Sequence, residues 1–240
     1  MIKTPYQNLE DRWRQMDALA GAQSILHWDM SAMMPSGGAA SRAEQLATLA
    51  TLSHTMLTDP AVPDLLDAAE ADVHLDPWQQ ANVVEMRRAW VHGAAVDADL
   101  VDALSRACST CETTWRSARA DADFKAVLPK MQEVLNLTRH MATAKSERLG
   151  VSEYDALLDQ YEPDGRAADI EPIFKDLKAF LPDFLDDALA HQAAGPEILS
   201  LQGPFPTAKQ KALGETFMRA LGFDFDHGRL DESLHPFCGG

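Results

Sequence analysis

Apolar residues recur at intervals of three and four along nearly all of this 240-residue sequence, and that period limits the fold more than any other feature. Tyr6, Leu9, Trp13 and Met16 begin one stripe, and Val127, Leu128, Met131, Val134, Leu135 and Met141 trace another. A third runs from Ile170 through Phe174, Leu177, Leu181 and Phe184 to Leu189. Successive helical residues are rotated by about 100°, so each set lies on one face of an amphipathic helix. Pro182 lacks an amide hydrogen and predicts a kink in the third.

Boundaries are marked by local chemistry. Asp76-Pro77-Trp78-Gln79 offers a capping carboxylate, a proline at the first helical position and a glutamine three residues on; Thr207-Ala208-Lys209-Gln210 repeats that logic. Gly150 and Gly222 read as helix stops. Pro35-Ser36-Gly37-Gly38 breaks the first helical region, and Gly195-Pro196 with Gly203-Pro204-Phe205-Pro206 forms a loop before Thr207. The reading is an all-α fold of eight or nine helices. Phe223-Asp224-Phe225-Asp226-His227-Gly228 alternates apolar and polar residues and predicts a short β-like segment near 223–235. With no repeat and no low-complexity linker, residues 1–240 read as a single helical domain.

Composition excludes several function classes. The chain is 46% hydrophobic and 24% charged, which is globular rather than disordered. Lys and Arg number 21 against 37 Asp and Glu, a net charge of −16, and a field of this sign opposes nucleic acid and anionic membrane surfaces. Cys108, Cys111 and Cys238 make no even disulfide framework. The N-terminus lacks the apolar run of a signal peptide, and the uncharged stretch 45–58 is shorter than the ~20 residues of a membrane span. A cytoplasmic protein is expected.

No complete active site can be written from the residues alone. Cys108-Ser109-Thr110-Cys111 lies in a helical stretch without a second pair for zinc, and reads as two small residues facing the core. None of the eight histidines has a partner three to five residues away, and His-Glu-x-x-His, Gly-x-Ser-x-Gly and glycine-rich phosphate loops are absent. The groups Asp97, Asp99, Asp102 and Asp183, Asp186, Asp187 read as solvated helix faces. Two segments stand out. His27, Trp28 and Asp29 place polar groups on an otherwise apolar helix end, where they require hydrogen-bond partners; a network tying this helix to its neighbours is favoured over direct catalysis. Near the C-terminus, His235 sits beside Pro236 and Phe237, and the pattern leaves open a surface turn or a site.

Together these segments resemble the carboxypeptidase Taq family of metal-dependent carboxypeptidases. The resemblance rests on Tyr6-Gln7-Asn8-Leu9-Glu10, on Leu26-His27-Trp28-Asp29-Met30 with Met34-Pro35 and Gly37-Gly38, and on Arg42-Ala43-Glu44-Gln45-Leu46. It continues through Tyr154-Asp155-Ala156-Leu157-Leu158-Asp159, Tyr161-Glu162-Pro163, Leu221-Gly222-Phe223-Asp224, Gly228-Arg229-Leu230-Asp231 and His235-Pro236-Phe237. It implies a helical, dimeric, cytosolic exopeptidase that removes C-terminal residues from peptides with zinc or cobalt. By the same resemblance the helices of residues 1–75 correspond to a mobile cover over a long groove. His235, Pro236 and Phe237 correspond to a substrate-contacting element, and His27, Trp28 and Asp29 to groove or structural network.

The family's Asp-x-Arg-x-Thr element, His-Glu-x-x-His helix and further glutamate ligand are expected beyond Gly240. The resemblance therefore implies the N-terminal half of a family member, with no catalytic residue, metal ligand or cofactor of its own and no activity alone. An alternative is a non-catalytic helical module for peptide binding or homodimerisation. A third reading, an enzyme built on His27, Asp29 and His235, ranks below both. If a half-domain, the chain should expose apolar stripes, with Trp28 and Phe237 near that surface.

Overall fold

In a computed structural model, which describes residues 3–197 and 199–233, the apolar period becomes nine α-helices among the described residues. They are α1 (Pro5–Ala32), α2 (Ala39–Leu57), α3 (Ala61–Glu70), α4 (Pro77–Ala94), α5 (Ala98–Ala120), α6 (Phe124–Leu149), α7 (Glu153–Leu158), α8 (Ala167–Ala193) and α9 (Thr207–Ala220). A 3₁₀ turn at Ser36–Gly38 separates α1 from α2, where the glycines predicted a break.

Helix starts follow from side chains that satisfy orphan amides. Thr4 Oγ1 accepts from the Gln7 amide at 3.2 Å while Gln7 Oε1 accepts from the Thr4 amide at 3.0 Å, and Pro5 opens α1. Asp76 and Gln79 make the same reciprocal pair at 2.9 and 3.0 Å ahead of Pro77. Asp123 and Ser152 cap α6 and α7. Gly150, at φ +69°, closes α6 in the left-handed region that favours glycine.

Three expectations are corrected. Thr207 is the first residue of α9 rather than its cap: Pro206 occupies the cap position and has no side-chain acceptor, and Gln210 Nε2 instead donates to the Phe205 carbonyl at 2.6 Å. Secondly, no strand occurs among the described residues, 223–233 included. Asp224 Oδ1 accepts from the Asp226 amide at 2.8 Å, and its backbone carbonyl accepts from His227 and Gly228. A period-two pattern built from Asp thus folds into a turn, because the short carboxylate binds the backbone two residues on. Finally, Cys108 is exposed and Cys111 half-buried. Ala107 and Ala118 occupy the inward side of α5, with Cys111 one turn after Ala107, and Cys108 lies a step further around. Pro172 and Pro182 both lie inside α8, which runs from Ala167 to Ala193.

The chain divides into two compact units, one through Arg166 and one over Ala167–Ser233. In the first, Tyr6 and Leu9 of α1, Val62, Leu66 and Ala69 of α3, and Val83 and Met86 of α4 form a buried cluster, with Trp13, Leu65 and Trp90 packed against it. Tyr6 keeps its hydroxyl satisfied by Asn82 Nδ2 at 3.0 Å. Beside this cluster α5 packs against both α2 and α6, and α6 against α7. Close passage of α4 by α2 depends on Gly93, where a Cβ would lie 2.5 Å from Leu57 Cδ2. The second unit contains α8 and α9, neither with a buried residue. No helix of the described residues is long and apolar enough to cross a membrane.

Candidate functional site

The end of α1 gathers the polar groups singled out in the sequence. Asp29 is paired with Arg42 of α2 at 2.6 Å, and the same guanidinium donates to the Leu26 carbonyl at 2.5 Å and to Gln45 Oε1 at 3.0 Å. Arg116 of α5 donates to the Met30 carbonyl and to Ser31 Oγ at 3.2 Å, and pairs with Glu112 at 2.5 Å. Carbonyls in the last turn of a helix lack partners within it, so a guanidinium there completes the backbone's hydrogen bonding and opposes the negative end of the helix dipole. Trp28 is half-buried and Met30 buried, whereas His27 points to the exposed side. His27 and Asp29, two residues apart, face different directions on the helix. His235, Pro236 and Phe237 lie outside the described residues.

A second polar centre was not predicted. His92 of α4 and Asp159, at the end of α7, are both buried, with His92 Nε2 2.7 Å from Asp159 Oδ2. Arg88 Nε approaches the same oxygen at 3.5 Å; the other oxygen accepts from Arg166 Nη1 at 3.1 Å and the Asp164 amide at 3.0 Å. Burial alone raises the Asp159 carboxyl, but hydrogen bonds from His92, Arg166 and Asp164, with the Arg88 charge, outweigh it and hold the group below the usual carboxylate value. Asp164 adopts φ +59° to bring its amide to the carboxylate. The arrangement orients an imidazole and locks the α7–α8 connection onto α4.

Next to this centre, α2, α4, α5 and α6 enclose an open cavity of about 410 Å³. Leu57, Val96, Leu104 and Met141 give it apolar walls, and His54, His92, Cys108 and Lys145 also line it. His54 Nε2 donates to the carbonyls of Val96 at 2.8 Å and Gly93 at 3.1 Å. Lys145 is only 5% exposed, and burial pushes its ammonium down to about 8.

A zinc or cobalt ion requires a convergent set of donors, and among the described residues no group of three or more His, Cys, Asp or Glu is placed to hold one. His54 is committed to backbone carbonyls and His92 to Asp159. The described residues therefore do not fit the metal, and no hydrolytic step is derived through it.

Comparison with known proteins supports the family resemblance. The family model described as carboxypeptidase Taq (M32) metallopeptidase matches residues 8–240. Thermostable carboxypeptidase 1 of Thermus thermophilus is 35% identical over 242 aligned residues, spanning 97% of this chain and 47% of that protein. Among solved structures, metallocarboxypeptidase 1 of Trypanosoma cruzi superposes with a TM-score of 0.81 at 34% identity, covering 98% of this chain and 47% of its own. The apo-Mg carboxypeptidase of Pyrococcus furiosus gives 0.78 at 27% identity, with 99% and 48% covered. This chain spans about half the length of the relatives it matches. Helical architecture and a family match across nearly every residue together establish that the chain belongs to the carboxypeptidase Taq (M32) metallopeptidase family.

Proposed function

We propose that this chain supplies the helical groove wall and cover of a metal-dependent carboxypeptidase that removes C-terminal residues from peptides, and that its 240 residues do not hydrolyse peptides alone. One observation carries the reading: the family match extends over residues 8–240, yet that whole match amounts to about half of each relative and contains no His-Glu-x-x-His. In the complete reaction a zinc or cobalt ion supplies Lewis acidity and an activated water. Ligands other than the described residues are needed to hold it. A cytoplasmic setting suits the free thiols of Cys108 and Cys111. The test is incubation of the purified chain with zinc or cobalt and a set of peptides, read by mass spectrometry. No trimming is expected; chelator-sensitive release of C-terminal amino acids overturns the proposal.

A second reading, a non-catalytic module that binds peptides or a second copy, is favoured by the exposed apolar stripe of α8, where Phe174, Leu177, Phe180 and Phe184 are all open to solvent. Light scattering after size exclusion separates the two readings. A homodimer weakened by Leu177→Asp supports this second one, and a monodisperse monomer that captures no peptide removes it.

A further inference from the structure

A lysine buried among apolar side chains is in electrostatic difficulty unless a counter-charge reaches it. Lys145 is in that position. Its side chain enters the cavity between α2, α4, α5 and α6 from α6, and among the described residues no carboxylate or hydrogen-bond acceptor is paired with it. The single buried carboxylate among those residues, Asp159, is already occupied by His92, Arg88, Arg166 and the Asp164 amide. The other titratable groups lining the cavity are His54 on α2, His92 on α4 and Cys108 on α5; an imidazole carries no negative charge, and burial pushes the Cys108 thiol up, away from the thiolate. The remaining walls, Leu57, Val96, Leu100, Val101, Leu104 and Met141, are apolar.

We propose that this cavity binds a small organic anion with an apolar tail, of the medium-chain carboxylate class, whose charged end pairs with Lys145 while its hydrocarbon lies against the leucine, valine and methionine side chains. The volume of about 410 Å³ falls within the range of small-ligand pockets. Ser105, also on the wall, offers a hydroxyl donor for a second carboxylate oxygen. The ligand supplies the negative charge that the fold withholds, and an apolar surround strengthens that pairing relative to water. This site is independent of the peptidase reading, since it uses neither a metal nor the His235 segment.

The protonation linkage has a definite sign. An anion binds the ammonium form, and burial pushes Lys145 down to about 8. Affinity is therefore level at neutral pH and falls above that value, by roughly tenfold per pH unit once the amine is neutral, as binding comes to require proton uptake.

Isothermal titration of the full 240-residue chain with octanoate and with 1-octanol tests this. At about pH 7, octanoate is expected to bind one per chain and roughly tenfold more tightly than octanol, with the preference shrinking towards pH 9.5. In Lys145→Met, octanoate loses that preference while octanol binding stays within about twofold. Equal affinity of acid and alcohol for the unaltered protein, absence of saturable binding, or a preference that ignores pH overturns the proposal. Should the variant fail to melt cooperatively, the pH series on the unaltered protein still decides.

Discussion

The two compact units are written in the same periodic code and spend it differently. In the first, Leu9, Val62 and Leu66 are fully buried and α1, α3 and α4 close around them. In the second, Ile173, Phe174, Leu177, Phe180, Leu181, Phe184 and Leu185 repeat at equally regular spacing along α8, and every one is exposed. Helical period thus specifies which side chains share a face, and says nothing about whether another element covers it. The first unit carries its own hydrophobic driving force, whereas α8 presents a stripe that a covering surface would bury.

The largest expected effect tests that contrast directly. Leu66→Ala removes a fully buried side chain and should cost about 3 kcal/mol in urea or thermal unfolding. Leu177→Ala, at an exposed position, should cost less than about 0.5 kcal/mol. Equal losses would break the comparison, because α8 would then be covered in solution. Repeating the α8 measurement at several protein concentrations identifies a second copy as the cover, since only association makes the loss concentration-dependent.

Asp159 gives the next effect. Asp159→Asn leaves Arg88, Arg166 and His92 around a neutral amide and should cost about 2–3 kcal/mol at neutral pH. Its carboxyl is held below the ordinary value in the folded state, so the unfolded state takes up protons first as pH falls. The stabilisation is therefore complete above the unfolded value, about 3.9, and disappears as pH drops through the lower folded value. Unfolding curves of the two proteins should keep a constant separation from neutral pH to about pH 5 and converge below it. A separation unchanged at low pH would mean that the variant acts through packing rather than charge.

Residues differ in how far sequence exposes these relationships. Asp29 was marked by being polar on an apolar helix end, and a partner was demanded; Arg42, only thirteen positions away and inside another family block, supplies it. His92 carried no such mark, since its partner, Asp159, lies just past the end of α7, 67 positions on. Asp159 closes the segment Tyr154-Asp155-Ala156-Leu157-Leu158-Asp159, but nothing local links it to an imidazole on α4. Lys145 reads as one more surface charge near the end of α6, and only the packing of α2, α4 and α5 around it reveals the burial. Local rules succeed at Asp76 and Gly150, where one turn of chain contains the whole interaction. They failed at Asp224, where an Asx turn imitated strand alternation.

Capping provides the smallest effect and the finest comparison between the units. Thr4 and Thr207 carry the same signature, each followed three residues later by glutamine, but Thr4 precedes its helix and Thr207 is already inside one. A cap hydroxyl must sit on extended backbone to reach the amide three residues on; Thr4 has ψ 161° and does so. Thr4→Ala should therefore cost about 1 kcal/mol, and Thr207→Ala no more than a few tenths, measured by chemical unfolding. The adjacent prolines explain the difference. Pro5 follows Thr4 and opens α1, leaving the threonine as cap, whereas Pro206 precedes Thr207 and takes that position itself. Gln210, released from a reciprocal pair, donates to Phe205 instead, so Gln210→Ala should exceed Thr207→Ala in cost. The reverse order would place Thr207 back at the cap and make the two helix starts alike.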